Sequence, residues 1–336
     1  MNSLFALLHR TRTIVAVALP IAAIALHLGI VACFARKWDK VAAVTVLPFW
    51  FWGLLGIALA FGGWVTRRSR FAAIVGALWV VTIIVGSDET RGIMRVWKPA
   101  LPETRPADEN GKKILRVATI NCNINQPEAA DEVLRFSPDV VFLQESPPIN
   151  KLQAMAKKLY GDEGSALGGW HCGIIARGKL TQKFRLHEPR LLLATLEQPD
   201  GKIFDLACVH LGSAPTRIDF WNRESWKLHY TRRIARRNNL TRVLRETGNH
   251  LGGNPLIFGG DFNASPHDAV FRLIDDDWTD AWEKVGRGWG NTFNNRLPSL
   301  RIDRLFVSEE LRPTKAQVFR TRHSDHRMLV ADFAIE

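Results

Sequence analysis

Three long apolar runs near the N-terminus constrain this chain more than any other feature of its sequence. Residues 14–33 carry no charged side chain, and residues 41–65 form a second such run that is rich in Trp, Phe and Gly. A third, shorter run covers residues 71–85 and can extend through Ser87. A helix needs roughly 20 apolar residues to cross the hydrocarbon core of a bilayer. The pattern predicts a membrane anchor, residues 1–98, with three transmembrane helices at about 14–33, 44–65 and 71–87.

Two other interpretations of these runs are open. A cleaved signal peptide would explain the basic start at Arg10 and Arg12 and the small residues at 32–35, although its apolar core usually has only about 7–15 residues. Buried core helices of a soluble domain would explain one apolar run better than three that are joined by basic loops. A multi-span anchor accounts for all three runs together.

The basic residues between the runs bear on the orientation of the anchor. With three spans, five basic residues lie on the N-terminal side and six on the other, so the positive-inside rule does not decide. The basic start and the dense arginine cluster at 67–70 favour a cytoplasmic N-terminus. We therefore expect an integral protein of the bacterial inner membrane, with its C-terminal domain outside the cytoplasm.

A second domain follows the anchor. Three prolines and a glycine mark residues 99–113 as a linker, because proline lacks the amide donor of regular structure. The domain itself, residues 114–336, contains apolar runs typical of buried strands, with helices predicted at 127–136 and about 219–247. The runs cover residues 114–120, 138–145, 168–176, 191–196, 202–210, 255–261, 300–307 and 328–333.

Polar side chains recur where these apolar runs end. They are Asn121, Glu145, His210, Asp261 with Asn263, Asp303, and Asp325 with His326. A single Asp or Asn at such a place is an ordinary turn former. Six such places in one domain, which mix carboxylate, amide and imidazole groups, instead predict one functional site at the ends of the strands.

These segments together resemble the endonuclease/exonuclease/phosphatase superfamily, and they occur in that family's order. They are Ala118-Thr-Ile-Asn121, Asp139-Val-Val-Phe-Leu-Gln-Glu145, Val209-His210-Leu211, Gly259-Gly-Asp261-Phe-Asn263, Arg301-Ile-Asp303-Arg-Leu-Phe-Val-Ser308 and Ser324-Asp325-His326. The superfamily includes pancreatic deoxyribonuclease, abasic-site endonucleases, bacterial sphingomyelinases and inositol polyphosphate 5-phosphatases. The resemblance implies an α/β fold, a four-layer α/β sandwich of two packed mixed sheets flanked by helices, here preceded by three transmembrane helices.

The resemblance also implies a metal site and a base. Glu145 would be the principal ligand of a divalent cation, Mg²⁺ or Mn²⁺, for which oxygen ligands are suited. Asn121 would help to hold the cation or the phosphate, and Asp325 would be a further metal ligand. Asp261 would position and deprotonate the attacking water, and Asn263 would orient the phosphate.

Two histidines complete the implied site. His326 would bind the scissile phosphate or transfer a proton, paired with Asp303, which fixes the tautomer of the ring. His210 matches a histidine that the deoxyribonuclease and sphingomyelinase branches use near the phosphate and the leaving group. The acidic partner of that histidine in deoxyribonuclease is not identifiable here, so the role of His210 as an acid stays open.

Net charge indicates which binding partners the chain favours, and cysteine spacing indicates which motifs its sequence lacks. The formal net charge of +12 favours anionic partners, such as phospholipid, nucleic acid or phosphorylated small molecules. Residues 217–245 hold nine Lys and Arg interleaved with four aromatic residues, typical of a solvated helix face, a membrane-surface patch or a nucleic-acid track. The four cysteines form no CxxC pair, so the sequence contains neither a zinc nor a thioredoxin-like motif.

Together these features predict a membrane-anchored hydrolase that cleaves a phosphate ester or pyrophosphate by in-line attack of water. The layout resembles the teicoplanin-resistance-type membrane proteins of this superfamily, which implies a lipid-linked phosphate as substrate and membrane lipids as partners. A membrane-bound endonuclease or exonuclease that acts on DNA or RNA is the alternative. A non-catalytic membrane scaffold would not need so complete a set of site residues.

Overall fold

The N-terminal helices form an antiparallel bundle. A computed structural model of the protein describes residues 2–103, 114–215, 217–274 and 276–335. Its first helices are α1 Asn2–Arg36, α2 Ala42–Val46, α3 Phe49–Arg67, α4 Arg70–Gly86 and α5 Asp88–Ile93. Phe34 near the end of α1 packs against Phe49 at the start of α3, with ring centroids 5.0 Å apart. Gly63 near the end of α3 lies against Pro20 of α1, so the two helices run antiparallel.

The core of the bundle is centred on Trp79 of α4, whose side chain is fully buried. Gly56 of α3 leaves the space for this ring, since a Cβ there would lie 2.0 Å from it. Gly86 of α4 lies next to Phe49 of α3, so these helices also run antiparallel. The C-termini of α1 and α4 and the N-terminus of α3 therefore lie together. We call this region the bundle end and define it as residues 34–52 and 86–93.

Two helices, rather than the three expected spans, are long enough to cross a membrane. They are His9–Arg36 within α1, with 28 residues, and α3, with 19 residues. The third, α4, has 17 residues. At 1.5 Å per residue it covers about 26 Å, short of a hydrocarbon core of about 30 Å. The helix cannot be counted as longer, because Ser69 caps its N-terminus and the backbone of Ser87 is already extended. The expectation of three spans is therefore corrected to two, beside a shorter apolar helix.

The C-terminal domain consists of two mixed sheets with helices on their outer faces. In chain order its elements are β1 Ile114–Asn121, α6 Pro127–Asp131, β2 Val140–Gln144, α7 Ile149–Tyr160, β3 Gly164–Gly169, β4 Cys172–Arg177, β5 Lys179–Leu186, β6 Arg190–Glu197, β7 Ile203–His210, α8 Arg223–His250, β8 Leu256–Asp261, β9 Thr279–Asp280, α9 Ala281–Val285, β10 Gly286–Arg287, β11 Asp303–Val307, β12 Leu311–Phe319 and β13 Met328–Ile335. The first sheet has the order β10-β12-β13-β1-β2-β4-β3, and the second has the order β5-β6-β7-β8-β11-β9.

The layers of this domain follow from three apolar clusters. Phe142 of β2 and Leu206 of β7 belong to one core between the two sheets. Leu152 of α7 packs on the outer face of the first sheet, and Leu240 and Val243 of α8 pack on the outer face of the second. The order helix, sheet, sheet, helix confirms the predicted four-layer α/β sandwich.

Strand pairing brings five of the predicted polar positions together. Asn121 ends β1, and Glu145 directly follows β2, which is parallel to β1. His210 and Asp261 end the parallel strands β7 and β8 opposite one another. Asp303 begins β11, which is antiparallel to β8, and it also pairs with Asp261. The two sheets therefore present these side chains at one edge of the sandwich.

The expected linker, residues 99–113, is described in part, since residues 104–113 lie outside the described residues. Its first residues lie on the C-terminal domain. The backbone N–H of Leu101 donates to Gln317 at 3.1 Å, and Arg116 donates to the carbonyl oxygen of Pro102 at 2.9 Å.

Helix α8 contains most of the basic stretch and joins the domain to the bundle end. Arg233 and Arg236 are buried, and their guanidinium groups lie 3.4 and 3.0 Å from the carboxylate of Asp268. Arg233 also donates to the hydroxyl of Thr45 in α2. These two arginines therefore serve docking within the chain, whereas Arg232 and Arg245 face solvent.

Candidate active site

Asp261 lies at the centre of the strand edge and is 1% exposed. Its Oδ1 accepts a hydrogen bond from the backbone N–H of Asn263 at 2.8 Å. Its Oδ2 accepts from the amide groups of Asn121 and Asn263, each at 3.1 Å. Burial and then the charge of Asp303 raise the pKa of Asp261 to about 7, although these hydrogen bonds favour the carboxylate. A carboxyl group with a pKa near neutrality is suited to accept a proton from water.

His326 and Asp303 form a buried pair next to Asp261. The Nδ1 of His326 lies 2.9 Å from Oδ2 of Asp303, and its Nε2 lies 4.0 Å from Oδ2 of Asp261. Burial disfavours the imidazolium, but the charge and hydrogen bond of Asp303 outweigh it and raise the pKa of His326 to about 10. The ring is therefore cationic at neutral pH, with its Nε2–H directed at the centre of the site.

Glu145 adds a carboxylate that solvent reaches, since 31% of its side chain is exposed. Its backbone is left-handed, with φ of 45°, as the chain turns out of β2. Oε2 accepts from the backbone N–H of Ile124 at 2.7 Å, and Oε1 lies 3.9 Å from Nε2 of His210. Oε1 therefore faces the space between the two sheets, beside Asp261.

His210 is a neutral hydrogen-bond donor in this structure. Its Nδ1 lies 3.0 Å from the guanidinium of Arg190, which can only donate, so the proton of the ring lies on Nε2. Burial and then the charges of Arg190 and His326 lower the pKa of His210 to about 3. Nε2 lies 3.7 Å from Oδ2 of Asp261. The hydrogen-bond partner of Nδ1 of His210 is thus an arginine and not an acid, which disfavours the protonated ring.

The donor set at this edge fits a divalent cation. Asn121 and Glu145 offer the amide and carboxylate oxygens that Mg²⁺ takes in proteins. Asp261, Asp303 and His326 form a second, buried group, with one ligand atom from each within 4.8 Å of the others. The Oδ1 of Asp303 is buried and has no hydrogen-bond partner among the described residues, so one oxygen of this carboxylate is left for a cation or a proton.

The structure brings seven of the eight residues of the predicted site together. They are Asn121, Glu145, His210, Asp261, Asn263, Asp303 and His326. Asp325 is instead exposed and lines a cavity beside the site. No motif or pattern in the sequence indicates Arg190, or Thr292, whose hydroxyl accepts from the backbone N–H of Asp303 at 3.2 Å. Both lie outside the motifs and reach the site only through tertiary contacts.

The loops that flank the site lie against the bundle end. The loop after β7 packs Phe220 on Trp52, with ring centroids 5.7 Å apart. The loop before β11 packs Trp289 against Trp50, with centroids 6.2 Å apart. Trp50 and Trp52 lie in the first turn of α3. The site is therefore next to the end of a helix long enough to cross a membrane.

Similar solved structures share the fold of the C-terminal domain. An endonuclease/exonuclease/phosphatase from Bacteroides vulgatus is 19% identical over 67% of this chain and 100% of its own, with a TM-score of 0.50. A family protein from Bacteroides thetaiotaomicron is 16% identical over 67% of this chain and 99% of its own, also with a TM-score of 0.50. TDP2 of D. rerio, complexed with single strand DNA product, is 19% identical over 66% of this chain and 98% of its own, with a TM-score of 0.49.

Comparison of sequences identifies the family. Among curated proteins, none matches the chain. The sequence profile of the Endonuclease/Exonuclease/phosphatase family matches residues 118–326, which contain every residue of the site described above. Members of this family are hydrolases that act on phosphoester bonds. The profile covers more than half of the chain, and so the chain belongs to the endonuclease/exonuclease/phosphatase family.

Proposed function

We propose that this protein is a membrane-anchored, divalent-metal-dependent phosphoesterase that hydrolyses a phosphate ester or pyrophosphate by in-line attack of water. The observation that carries the proposal is the buried group of Asp261, Asp303 and His326, with Glu145 beside it at the same edge. In-line attack spreads negative charge over the phosphoryl oxygens, and this edge supplies fixed donors and cation ligands for that charge.

Glu145 and Asn121 would hold the cation, Mg²⁺ or Mn²⁺, and Asp325 stays a proposed further ligand. When bound, the cation neutralises charge on the phosphoryl oxygens. Glu145 suits this role because it is partly exposed, and Mg²⁺ keeps several water ligands.

Asp261 acts on the attacking water. Its pKa of about 7 lets it take a proton from the water at neutral pH. Asn121 and Asn263 hold the carboxylate in place through their amide groups. The amide of Asn263 also donates to the carbonyl oxygen of Leu211 at 2.9 Å, so both hydrogens of this amide are engaged within the protein. The main role of Asn263 is therefore to position Asp261 rather than to orient the phosphate.

The two histidines hold the phosphate. His326 donates through its Nε2–H as a cation, which Asp303 maintains. His210 donates through its Nε2–H as a neutral ring, which Arg190 maintains. Because both hydrogen bonds strengthen as charge develops on the phosphoryl oxygens, both residues favour the transition state over the substrate.

We assign residues 1–98 to a membrane anchor, residues 99–113 to a linker and residues 114–336 to the catalytic domain. The position of the site next to the bundle end supports a lipid-linked phosphate as substrate, since lipid headgroups lie at that depth. The bundle end contains the C-termini of both α1 and α4. Although α4 is shorter than a full span, it returns the chain to this end, so the proposed anchor places the catalytic domain opposite the N-terminus across the membrane.

A cytoplasmic N-terminus then places the catalytic domain outside the cytoplasm of a bacterial inner membrane. Arg10, Arg12 and the arginines at 67–70 lie at the far end of the bundle, and it is the density of this cluster, rather than the total count of basic residues, that supports this orientation. C-terminal fusions to alkaline phosphatase and green fluorescent protein test it. We expect phosphatase activity without fluorescence, and the reverse result would contradict the orientation.

A nuclease is the second candidate. It is favoured by Arg296, Arg320 and Arg322, which lie beside the site, because guanidinium groups bind the phosphodiester backbone. Both candidates hydrolyse a bond to phosphorus by attack of water. They differ in the substrate, which is a lipid-linked phosphate in the first and a nucleic acid in the second.

A substrate panel distinguishes these candidates. The full-length chain in detergent would be given an isoprenyl diphosphate in micelles, a DNA oligonucleotide or bis(4-nitrophenyl) phosphate, each with Mg²⁺. We expect hydrolysis of the lipid diphosphate that is lost with EDTA and in Glu145→Gln, and retained in the exposed control Glu163→Gln. Hydrolysis of DNA alone would establish the nuclease, whereas no hydrolysis of any substrate would contradict the phosphoesterase and leave a scaffold.

A further inference from the structure

A cavity of about 880 Å³ lies beside the site on the side of His326. Three segments form its walls: the turn after β1, the loop before β11 and the loop between β12 and β13. We call it the cationic cavity and define it by Asn123, Asn295, Arg296, Arg320, Arg322 and Asp325.

The charges of the cationic cavity are unbalanced. Arg296, Arg320 and Arg322 line it, and within the described part of the chain their guanidinium groups make no hydrogen bond or ion pair. Among the described lining residues, Asp325 is the one acid. By contrast, the buried Arg233 lies within 3.4 Å of a carboxylate. A group of unpaired arginines with a single acid attracts an anion of more than one charge.

The loop that presents two of these arginines is held in place by another part of the chain. One carboxylate oxygen of Glu132 accepts from the backbone N–H groups of Arg322 and His323, at 2.8 and 3.0 Å. The same oxygen lies 3.2 Å from Nδ1 of His323. The carbonyl oxygen of Arg320 accepts from Arg135 at 3.4 Å. Fixing a loop before a ligand arrives lowers the entropy cost of binding.

One wall of the cavity also carries an unpaired acceptor. Asn295 is 7% exposed, and its amide nitrogen donates to the carbonyl oxygens of Thr321 and Ser324, at 2.7 and 2.9 Å. Its Oδ1 is buried and has no partner among the described residues. A buried acceptor without a donor is costly, so this oxygen is suited to a hydroxyl or water that accompanies a ligand.

The cavity adjoins the site, because residues of its wall bond directly to residues of the site. Ser324 lies in its wall, donates to the carbonyl oxygen of Asn121 at 2.6 Å and accepts from the backbone N–H of His326 at 2.9 Å. Asn123, which also lines the cavity, donates its backbone N–H to the side-chain oxygen of Asn121 at 3.0 Å. A substrate whose scissile phosphate lies at His326 therefore has the cavity beside that phosphate.

We propose that the cationic cavity is a subsite for a second phosphate group of the substrate, bound by Arg296, Arg320 and Arg322. The subsite rests on the proposed phosphoesterase and specifies its substrate class: molecules that carry another phosphate next to the one that is cleaved. A diphosphate and a phosphodiester chain share this chemistry. A substrate with a single phosphate makes no contact with the three arginines, so they contribute nothing to its binding.

The double variant Arg320→Ala/Arg322→Ala tests this subsite in the full-length chain. Each substitution removes a charge-assisted hydrogen bond to the second phosphate. We therefore expect kcat/KM to fall at least about tenfold for the isoprenyl diphosphate, the DNA oligonucleotide or both. For bis(4-nitrophenyl) phosphate, which has one phosphorus, kcat/KM should stay within about twofold of the parent enzyme. The arm that shows the loss identifies the source of the second phosphate. An equal loss on all substrates would overturn the proposal.

A binding measurement keeps the subsite separate from the reaction. Isothermal titration of inorganic pyrophosphate into the full-length chain, in EDTA, should give a Kd at least about tenfold higher in the double variant than in the parent chain. Arg245→Ala is the matched control, because this arginine is exposed on α8 and distant in sequence from the cavity. Unchanged pyrophosphate affinity in the double variant would overturn the subsite. Absence of hydrolysis with the expected binding difference would overturn the phosphoesterase alone.

Discussion

The ion pair between Asp88 and Arg301 fastens the bundle end to the catalytic domain, so Asp88→Asn should loosen this junction. Asp88 begins α5, and its Oδ2 lies 2.9 Å from Nη2 of Arg301. Arg301 is 1% exposed and also pairs with Asp280 at 2.7 Å. Loss of the Asp88 carboxylate therefore leaves a buried guanidinium with one of its two partners.

The structure gives two routes to the size of this effect. Burial alone would raise the pKa of Asp88, but the charge of Arg301, with that of His267, lowers it from 3.8 to about 2, which corresponds to about 2–3 kcal/mol. A hydrogen bond to a charged group contributes about 1.5–3 kcal/mol. If Arg301 lost both of its carboxylate partners, the free energy of unfolding would fall by about 3–5 kcal/mol. Asp88→Asn should cost less, because Asp280 still pairs with Arg301.

The sign of the pH dependence follows from the lowered pKa. Because the folded protein holds the proton of Asp88 less tightly than the unfolded chain, the stabilisation is present above pH 3.8 and is lost as the pH falls through about 2. An assay at pH 7 therefore measures all of it. For a domain of this size, about 2–3 kcal/mol corresponds to a fall in Tm of about 4–12 °C.

Thermal unfolding in detergent, followed by tryptophan fluorescence, is the assay. Asp276→Asn is the matched control, because Asp276 is an exposed acid near the same junction and should change stability by less than about 0.5 kcal/mol. If Asp88→Asn lowers Tm no more than Asp276→Asn does, the ion pair does not hold the two parts together and the reasoning is refuted.

Two further predictions concern the site and the junction. Asp303→Asn should lower the pKa of His326 from about 10 by about 1–3, because the ring loses its neighbouring negative charge; an unchanged NMR titration of His326 would contradict the pairing. Gly92→Ala should destabilise the protein by about 1–3 kcal/mol in thermal unfolding, since its Cβ would lie 2.2 Å from the carbonyl oxygen of Gly288. Gly248→Ala on α8 has open space and is the control, and equal Tm values for the two variants would show that α5 does not pack as described.

The fold was predictable because buried strands leave a local pattern. The run 255–261 corresponds to β8 and the run 202–210 to β7, and the polar residues that end them meet because the two strands are parallel and adjacent. Boundaries were less predictable. The second apolar run was expected as one helix from residue 44, but Pro48 has extended backbone and separates α2 from α3.

Long-range contacts explain what the sequence did not reveal about the site. Arg190 lies 20 residues from His210 and belongs to no motif, yet it sets the tautomer of that ring. Asp88 lies 213 residues from Arg301, and nothing in either local sequence links them. The basic stretch predicts one exposed surface, whereas Arg233 and Arg236 turn inward to Asp268. Such pairs depend on how the elements pack and leave no periodic signal.

The most direct test of the central claim is the rate of phosphoester hydrolysis by Asp261→Ala, measured with Mg²⁺ on the substrate that the parent enzyme cleaves. Removal of the base should lower kcat by about 10²–10⁴ while thermal unfolding shows an intact fold. Asp162→Ala, which removes an exposed carboxylate, should keep the parent rate. If Asp261→Ala retains more than about a tenth of the parent rate, Asp261 is not the base and the account of this site is wrong.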